Sequence, residues 1–255
     1  MTLAELQERR AFECRLMPDR ALETLDDAEA FLRDRGLLTR AADSALPSLF
    51  EACHEEPYAR DKPGFGQWPA TKFPWFAELG ARGYLVLNVH RGKSLLVTEE
   101  IAALLDPICR AELARMEEAD PAWASLLRHL ADAGPSELED LQTELSLTPK
   151  ALKQLRHPLE RCGAVVSRAL VYEEPHRHTS VLARWDQVRP EPCRQEDPRR
   201  ALRELVCAGV GAAVVAPEPE LARWFSWRWY WDGGLVDELV SEGHVLRVDG
   251  HVAAV

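Results

Sequence analysis

The stretch DPRRALRELVCAGVGAAVVAPEPEL, residues 197–221, decides the fold class. Asp197 followed by Pro198 is typical of a helix start, and Gly209 is a candidate for the end of that helix. The apolar run AAVVA then predicts a short strand, and PEPELARWFSW predicts the beginning of a second helix.

The remainder of the chain completes one structural unit. DGGLVDELVSEG (residues 232–243) predicts a third helix closed by Gly243. Two alternating runs, HVLRV and HVAAV, flank Asp249-Gly250, which is a strong signal for a two-residue hairpin. The resulting order of helix, strand, helix, helix and hairpin is that of a winged helix.

Two earlier stretches repeat this order. In the middle stretch, Thr148 precedes the helical pattern PKALKQLR. Pro158, two residues beyond this pattern, predicts a kink or an end of the helix near His157, and a hairpin follows. In the first stretch, Thr24 caps an amphipathic helix, a loop of about eighteen residues follows, and YLVLNVH-RG-KSLLVT predicts another hairpin.

We therefore predict a mainly helical α+β fold with three tandem winged-helix units, each with a short β-hairpin wing. The first unit also includes an N-terminal helix and the long loop. Residues 98–121 are expected to be a partly helical linker. The predicted units span residues 1–110, 111–190 and 191–255.

Composition is typical of a soluble globular protein, since 46% of the residues are hydrophobic and 29% are charged. Neither a secretory signal nor an apolar run of the roughly 20 residues needed to span a bilayer is evident. The six cysteines are scattered, which favours reduced thiols over a disulfide frame or a zinc site. We therefore expect a cytoplasmic protein.

The formal net charge of −11 argues against general binding of polyanions, but the charge is unevenly distributed. Residues 146–184 contain 7 Lys and Arg against 3 Asp and Glu, and residues 60–93 contain 6 against 2. The local electrostatic potential, and not the net charge, decides where a phosphate backbone could bind. Double-stranded DNA is therefore still a candidate partner.

The third helix of the middle unit is the first candidate for contact with DNA. It would be the second helix of a helix-turn-helix motif, and that helix lies in the major groove. Leucines occupy the side of this helix that faces the core, so its polar side chains form a row on the exposed side. The alternative is an ordinary solvated helix face; within a winged-helix unit we favour DNA contact. The predicted DNA-binding residues of this helix are Lys150, Lys153, Arg156 and His157.

The hairpin tip HRGK of the first unit is the second candidate, with Arg91 and Lys93 placed as wing contacts. Arg60, Lys62 and Lys72 in the preceding loop would extend that surface. The alternative is a charged turn that keeps the hairpin soluble.

The aromatic segment ARWFSWRWYW, residues 222–231, could stack on bases or plug the space between packed units, and we favour the plug. His176 and His178 could share a strand face, but no third strong ligand is placed with them, so we expect no metal. The sequence contains neither a P-loop nor a G-x-G-x-x-G motif, and we expect no cofactor.

The order of the units, with LERCGAVVSRALVYEEPHRHTSVLARWDQVRPEP at its centre, resembles the AlkZ/YcaQ-like tandem winged-helix DNA glycosylases, which unhook cross-linked or alkylated bases. LxRWDQVxP is similar to the family's strand that ends its second unit in an aromatic-x-Leu-x-Glu-Arg-x-x-Pro pattern. The resemblance spans roughly residues 20–255 and implies a DNA repair function.

The chain departs from the family at its catalytic motif, a Gln–hydrophobic–Gln or Gln–hydrophobic–Asp triplet. The comparable stretch RGLLTRA has Thr39 and Ala41 at those positions, and neither can activate a hydrolytic water. Asp43, two residues further on, is the remaining candidate catalytic group. We expect a DNA-binding relative that has lost the known catalytic pair.

Two alternatives to this function stay open. A non-enzymatic protein-interaction module would suit the acidic net charge. A transcription regulator would predict a dimer on a palindromic site. The sequence contains no evident dimerisation helix, so we expect a monomer. If the chain is an enzyme, the expected reaction is N-glycosidic hydrolysis of a flipped-out, damaged purine.

Overall fold

A computed structural model describes residues 1–57, 66, 68–172, 177–192 and 197–255 of the protein. The predicted fold class is confirmed, because the structure is α+β and mainly helical. Within the described residues, the strands form three antiparallel sheets of three strands each.

The first unit follows helix α1 (Leu3–Glu13) and a 3₁₀ turn (Pro18–Arg20). Thr24 caps its first helix, as predicted, through a reciprocal capping box with Asp27. Its elements are α2 (Leu25–Arg35), β1 (Leu37–Thr39), α3 (Leu49–Ala52), α4 (Trp75–Ala81), β2 (Leu85–His90) and β3 (Lys93–Val97). A long helix, α5 (Glu99–Ala119), comes next.

The second and third units repeat the order of the first. The second consists of α6 (Pro121–Ala133), β4 (Ser136–Glu137), α7 (Leu138–Glu144), α8 (Pro149–Cys162), β5 (Val165–Tyr172) and β6 (Arg177–Arg184). A short helix α9 (Trp185–Val188) joins it to the third, which consists of α10 (Pro198–Ala213), β7 (Val215–Pro217), α11 (Glu218–Leu221), a 3₁₀ turn (Arg228–Tyr230), α12 (Leu235–Ser241), β8 (Val245–Val248) and β9 (His251–Ala254).

Strand pairing is the same in all three units. The last strand lies in the middle of each sheet, between the first strand and its own hairpin partner, giving the orders β1-β3-β2, β4-β6-β5 and β7-β9-β8. Both predicted two-residue hairpin turns are confirmed: Arg91-Gly92 and Asp249-Gly250 have positive φ angles at both positions, as a type I′ turn requires.

The structure excludes a helix end at Pro158 and at Gly209. Helix α8 continues past Pro158 to Cys162, where the buried side chains of its last turn anchor it in the core. Helix α10 likewise continues past Gly209 to Ala213. Gly209 serves close packing instead, because a Cβ atom there would lie 2.8 Å from the ring of Trp224.

Helix α5 is the centre of the molecule, where the sequence predicted a partly helical linker. Its buried face includes Ile101, Leu105 and Ile108, and helices α6, α8 and α10 pack against it. One hydrophobic cluster consequently includes residues of all three units. The boundary predicted between residues 110 and 111 falls inside this helix.

The aromatic segment of the third unit is a plug, as favoured from the sequence. Trp224, Phe225 and Trp227 are buried. The indole Nε1 of Trp227 donates to the carbonyl oxygen of Cys162 at the end of α8, and the amide of Ser226 donates to the carbonyl oxygen of Val89 in β2. This segment therefore connects the third unit to both of the others.

Candidate nucleic-acid interface

Helix α8 has the row of exposed basic side chains that was expected from its sequence. Thr148 Oγ1 accepts from the amide of Ala151 and starts the helix, while Leu152 and Leu159 are buried. The side chains of Lys150, Lys153 and His157 are exposed on the opposite face.

Arg156 differs from the other basic residues of this row, because a carboxylate of the protein already neutralises its charge. Its guanidinium is 2.5 Å from Glu160 Oε1 and 3.1 Å from Ser167 Oγ. Since Glu160 is buried, removing Arg156 from this pair would leave a carboxylate without its counter-charge. Arg156 is thus a structural residue as much as a surface cation.

Arg161 extends the row of basic side chains and was not among the predicted DNA-binding residues. It is exposed and follows His157 by four residues, so it lies on the same face as Lys150 and Lys153. Among the described residues, no carboxylate pairs with Lys150, Lys153 or Arg161, and their charges are therefore free for an external anion. The spacing of three and four residues from Lys150 onward could have revealed Arg161.

The structure brings the two predicted basic segments together. A Cβ atom on Gly92, at the hairpin turn of the first unit, would lie 2.9 Å from Arg161 Nε. The β2–β3 turn therefore packs on the end of α8, and the two units present one continuous surface. Lys93, at this turn, is 64% exposed and donates to Asp43 Oδ2 over 2.6 Å.

Arg91, the other hairpin candidate, is committed to contacts with the third unit and with the preceding loop. It donates to the carbonyl oxygens of Asp43 (2.7 Å) and Arg223 (3.0 Å), and lies 3.3 Å from Glu220 Oε1. These contacts fix the turn in place but use most of the donors that a DNA backbone would need.

Lys72, the loop candidate that lies within the described residues, does not join this surface. Lys72 donates to the carbonyl oxygen of Leu22 over 2.7 Å, and its ammonium lies 5.4 Å from the ring centre of Trp75. Only 17% of its side chain is exposed, which suits a loop anchor. Arg60 and Lys62 lie outside the described residues.

Thr39, which the resemblance would place at the first catalytic position, is inaccessible in the structure. Thr39 is buried, and its hydroxyl lies 3.2 Å from the carbonyl oxygen of Ala41 and 3.3 Å from that of Pro47. Its hydroxyl therefore holds the chain after β1 in place and does not face a substrate.

Asp43 lies at the contact between the first and third units. Its Oδ1 accepts from His90 Nε2 at 2.9 Å, and its Oδ2 accepts from Lys93. Burial opposes ionisation of Asp43, but the hydrogen bonds from Lys93 and His90 outweigh burial and hold its pKa below the usual value. The carboxylate is therefore charged at neutral pH, and a low pKa makes it a poor general base.

His90 is buried, and burial lowers its pKa against the opposing effect of Asp43. In the unfolded chain this histidine takes up a proton below about pH 6.5, whereas in the folded protein it resists protonation. We therefore expect stability to fall as the pH drops below about 6.5, by up to about 1.4 kcal/mol per pH unit from this group. Urea unfolding between pH 7 and pH 5 measures the slope.

The control for this effect is His90→Gln, which keeps a donor toward Asp43 and does not titrate. The variant should lose less stability than the wild type over the same pH range. Parallel curves for the two proteins would show that His90 is not the responsible group.

Comparison with protein-family models, with curated proteins and with solved structures gave no match. In the described part of the chain, no group of three or more His, Cys, Asp or Glu side chains is placed to hold a metal ion. No described helix is both long and apolar enough to cross a membrane.

Proposed function

We propose that this protein binds double-stranded DNA through α8 and the adjoining hairpin turn of the first unit. The observation that carries the proposal is the exposed row of Lys150, Lys153 and Arg161, which has no carboxylate partner among the described residues and meets the turn at Gly92. Lysine and arginine in one row suit successive phosphates, which fix a protein on a duplex.

The repeated order of helix, strand, helix, helix and hairpin supports this proposal, since it is the order of a winged helix, in which the helix before the hairpin is the one that enters the major groove. The formal net charge of −11 disfavours general binding of polyanions. Binding should therefore be weak on arbitrary sequences and strongly dependent on salt.

The resemblance to the AlkZ/YcaQ-like glycosylases suggests which kind of DNA the protein would bind. We propose a role in repair of alkylated or cross-linked duplexes, exercised by binding, with no catalytic role assigned to Thr39, Ala41 or Asp43. Asp43 and Thr39 are held by bonds within the protein, which supports a scaffold that has lost the catalytic pair.

The triple variant Lys150→Ala, Lys153→Ala, Arg161→Ala should weaken DNA binding at every sequence and reduce the slope of log K against log salt by about three. Each lost phosphate contact removes about one released counterion. Fluorescence anisotropy across a salt series, with an intact duplex and one containing N7-alkylated guanine, measures both effects.

The matched control replaces three other exposed arginines, Arg9, Arg33 and Arg200, by alanine, since each is paired with an acidic residue on its own helix. Both variants lower the net charge equally, so an equal change in slope would locate binding elsewhere. An unchanged slope in the α8 variant would contradict the proposed interface. After alkaline heating, strand breaks in excess of those in the same alkylated duplex treated identically without protein would show base excision and contradict a purely binding role.

A further inference from the structure

A cavity of about 410 Å³ lies between the first and second units, and none of Lys150, Lys153 and Arg161 lines it. It is bounded by α4 and the β2–β3 sheet on one side and by the β5–β6 hairpin on the other. Its size falls within the range of pockets that bind small molecules. Its lining is mainly apolar and includes Phe76, Leu87 and Val166.

Arg40 lines this cavity and has an unusual environment for an arginine. Its guanidinium lies over two aromatic rings, with the centre of the Phe76 ring at 4.8 Å and that of Trp68 at 5.4 Å. Its side chain makes one hydrogen bond within the described structure, to Ser94 Oγ at 3.2 Å, and Ser94 in turn lies 3.2 Å from Asn88 Oδ1.

No carboxylate among the described residues pairs with Arg40. Burial lowers the pKa of Arg40, and no acidic group among the described residues opposes that effect. Glu160 also lines the cavity, but its charge is taken by Arg156 and its oxygen accepts from Ser167. A desolvated cation without a counter-charge is costly, so a fold that keeps one has a use for it.

We propose that this cavity binds a small organic acid that has a single carboxylate and an apolar body. The carboxylate would accept two N–H groups of Arg40, which a planar guanidinium presents as a fork. Ser94 and Asn88 lie beside this fork, and the apolar body would contact Phe76, Leu87 and Val166. Arg168 also lines the cavity but is exposed to solvent, so Arg40 is the partly buried arginine of the lining that has no carboxylate partner among the described residues. One desolvated cation matches the single charge of a carboxylate better than the double charge of a phosphomonoester.

This site is independent of the proposed DNA interface, because Arg40 and the exposed row on α8 share no side chain. The sequence alone could not reveal it, since the two walls of the cavity come from units that are far apart in the chain. Arg40 falls at the middle, hydrophobic position of the family's catalytic triplet, so an arginine there is also a departure from that pattern.

Isothermal titration calorimetry with the full chain tests the proposal. The probes are 3-phenylpropionate and octanoate, each paired with its neutral amide, together with phenyl phosphate. We expect at least one acid to bind about tenfold more tightly than its amide, because only the acid neutralises Arg40. Arg40→Met should abolish that preference, and Arg40→Lys should retain only part of it.

Arg20→Met is the matched control, since Arg20 also stacks on an aromatic ring, that of Phe12, and lies outside the cavity. It should bind the acids as the wild type does. If Arg40→Met does not fold, Ala169→Trp serves instead, because it fills the cavity from an exposed position of its lining and leaves Arg40 in place.

Three results would overturn the proposal. The first is equal binding of acid and amide, or no saturable binding of either acid. The second is unchanged binding of the acid to Arg40→Met or to Ala169→Trp. The third is binding of phenyl phosphate in preference to both acids, which would assign the cavity to a phosphorylated ligand.

Discussion

Replacement of Trp227 by alanine is expected to destabilise the protein by about 3–5 kcal/mol. The indole is 1% exposed and stacks on Phe225 with ring centres 6.0 Å apart. Its Nε1 donates to the carbonyl oxygen of Cys162 at 2.9 Å. Truncation leaves a cavity between the third and second units and a buried carbonyl oxygen without its donor.

Trp229→Ala is the matched control, because it removes the same side chain two residues further along. Trp229 is 53% exposed, although its Nε1 donates to Glu112 and Arg115 stacks over its ring. Its loss should cost about 1 kcal/mol. Urea unfolding followed by far-ultraviolet circular dichroism gives both values. Equal losses would show that the plug does not depend on burial of Trp227.

The repeated fold was predictable because its signals are local. Thr24, Thr148 and Asp197 cap helices, and Arg91-Gly92 and Asp249-Gly250 form two-residue turns, all within a few residues of the structure that they determine. The errors occurred where distant contacts decide the outcome. Gly209 resembles a helix end in sequence, and only the ring of Trp224 shows why a glycine is there.

The central role of α5 was missed for a related reason. Its apolar residues are interrupted by charged ones and by Pro107, so the sequence resembled a linker. The helix is instead covered on several sides by elements from other units, and such burial is not encoded in the helix alone. Tertiary packing thus outweighed the local pattern.

The candidate interface was predictable in part. The spacing of leucines placed Lys150 and Lys153 outside, and the same spacing includes Arg161. The Arg156–Glu160 pair is also local, at four residues. The commitment of Arg91 to Glu220 is not local, because 129 residues separate the two. The lack of a counter-charge for Arg40 could be recognised only from the folded structure, because the walls of its cavity come from two different units.

Asp106→Ala is expected to cost about 3 kcal/mol, because it removes the acceptor that ties α5 to the RWDQV segment. Asp106 is 1% exposed, and its Oδ1 accepts from Trp185 Nε1 at 2.7 Å and from Arg110 Nε at 2.9 Å. Trp185 is fully buried, so its N–H would lose its partner without access to water.

This contact gives a structural reason for the motif that carries the family resemblance. Trp185 bonds to α5, while Arg184 pairs with Glu117 and Gln187 Nε2 donates to the carbonyl oxygen of Leu130. The motif therefore holds the second unit against the central helix. These contacts give the motif a role in the fold that does not depend on catalysis.

Two further variants separate the hydrogen bond from the charge. Asp106→Asn keeps an acceptor for the indole and should cost about 1–2 kcal/mol, whereas Trp185→Phe removes only the donor and part of the ring. Urea unfolding at pH 7 measures all three. A loss for Asp106→Asn as large as that for Asp106→Ala would assign the stabilisation to the ion pair with Arg110. A negligible loss for Asp106→Ala would remove the RWDQV contact from the interactions that hold the units together.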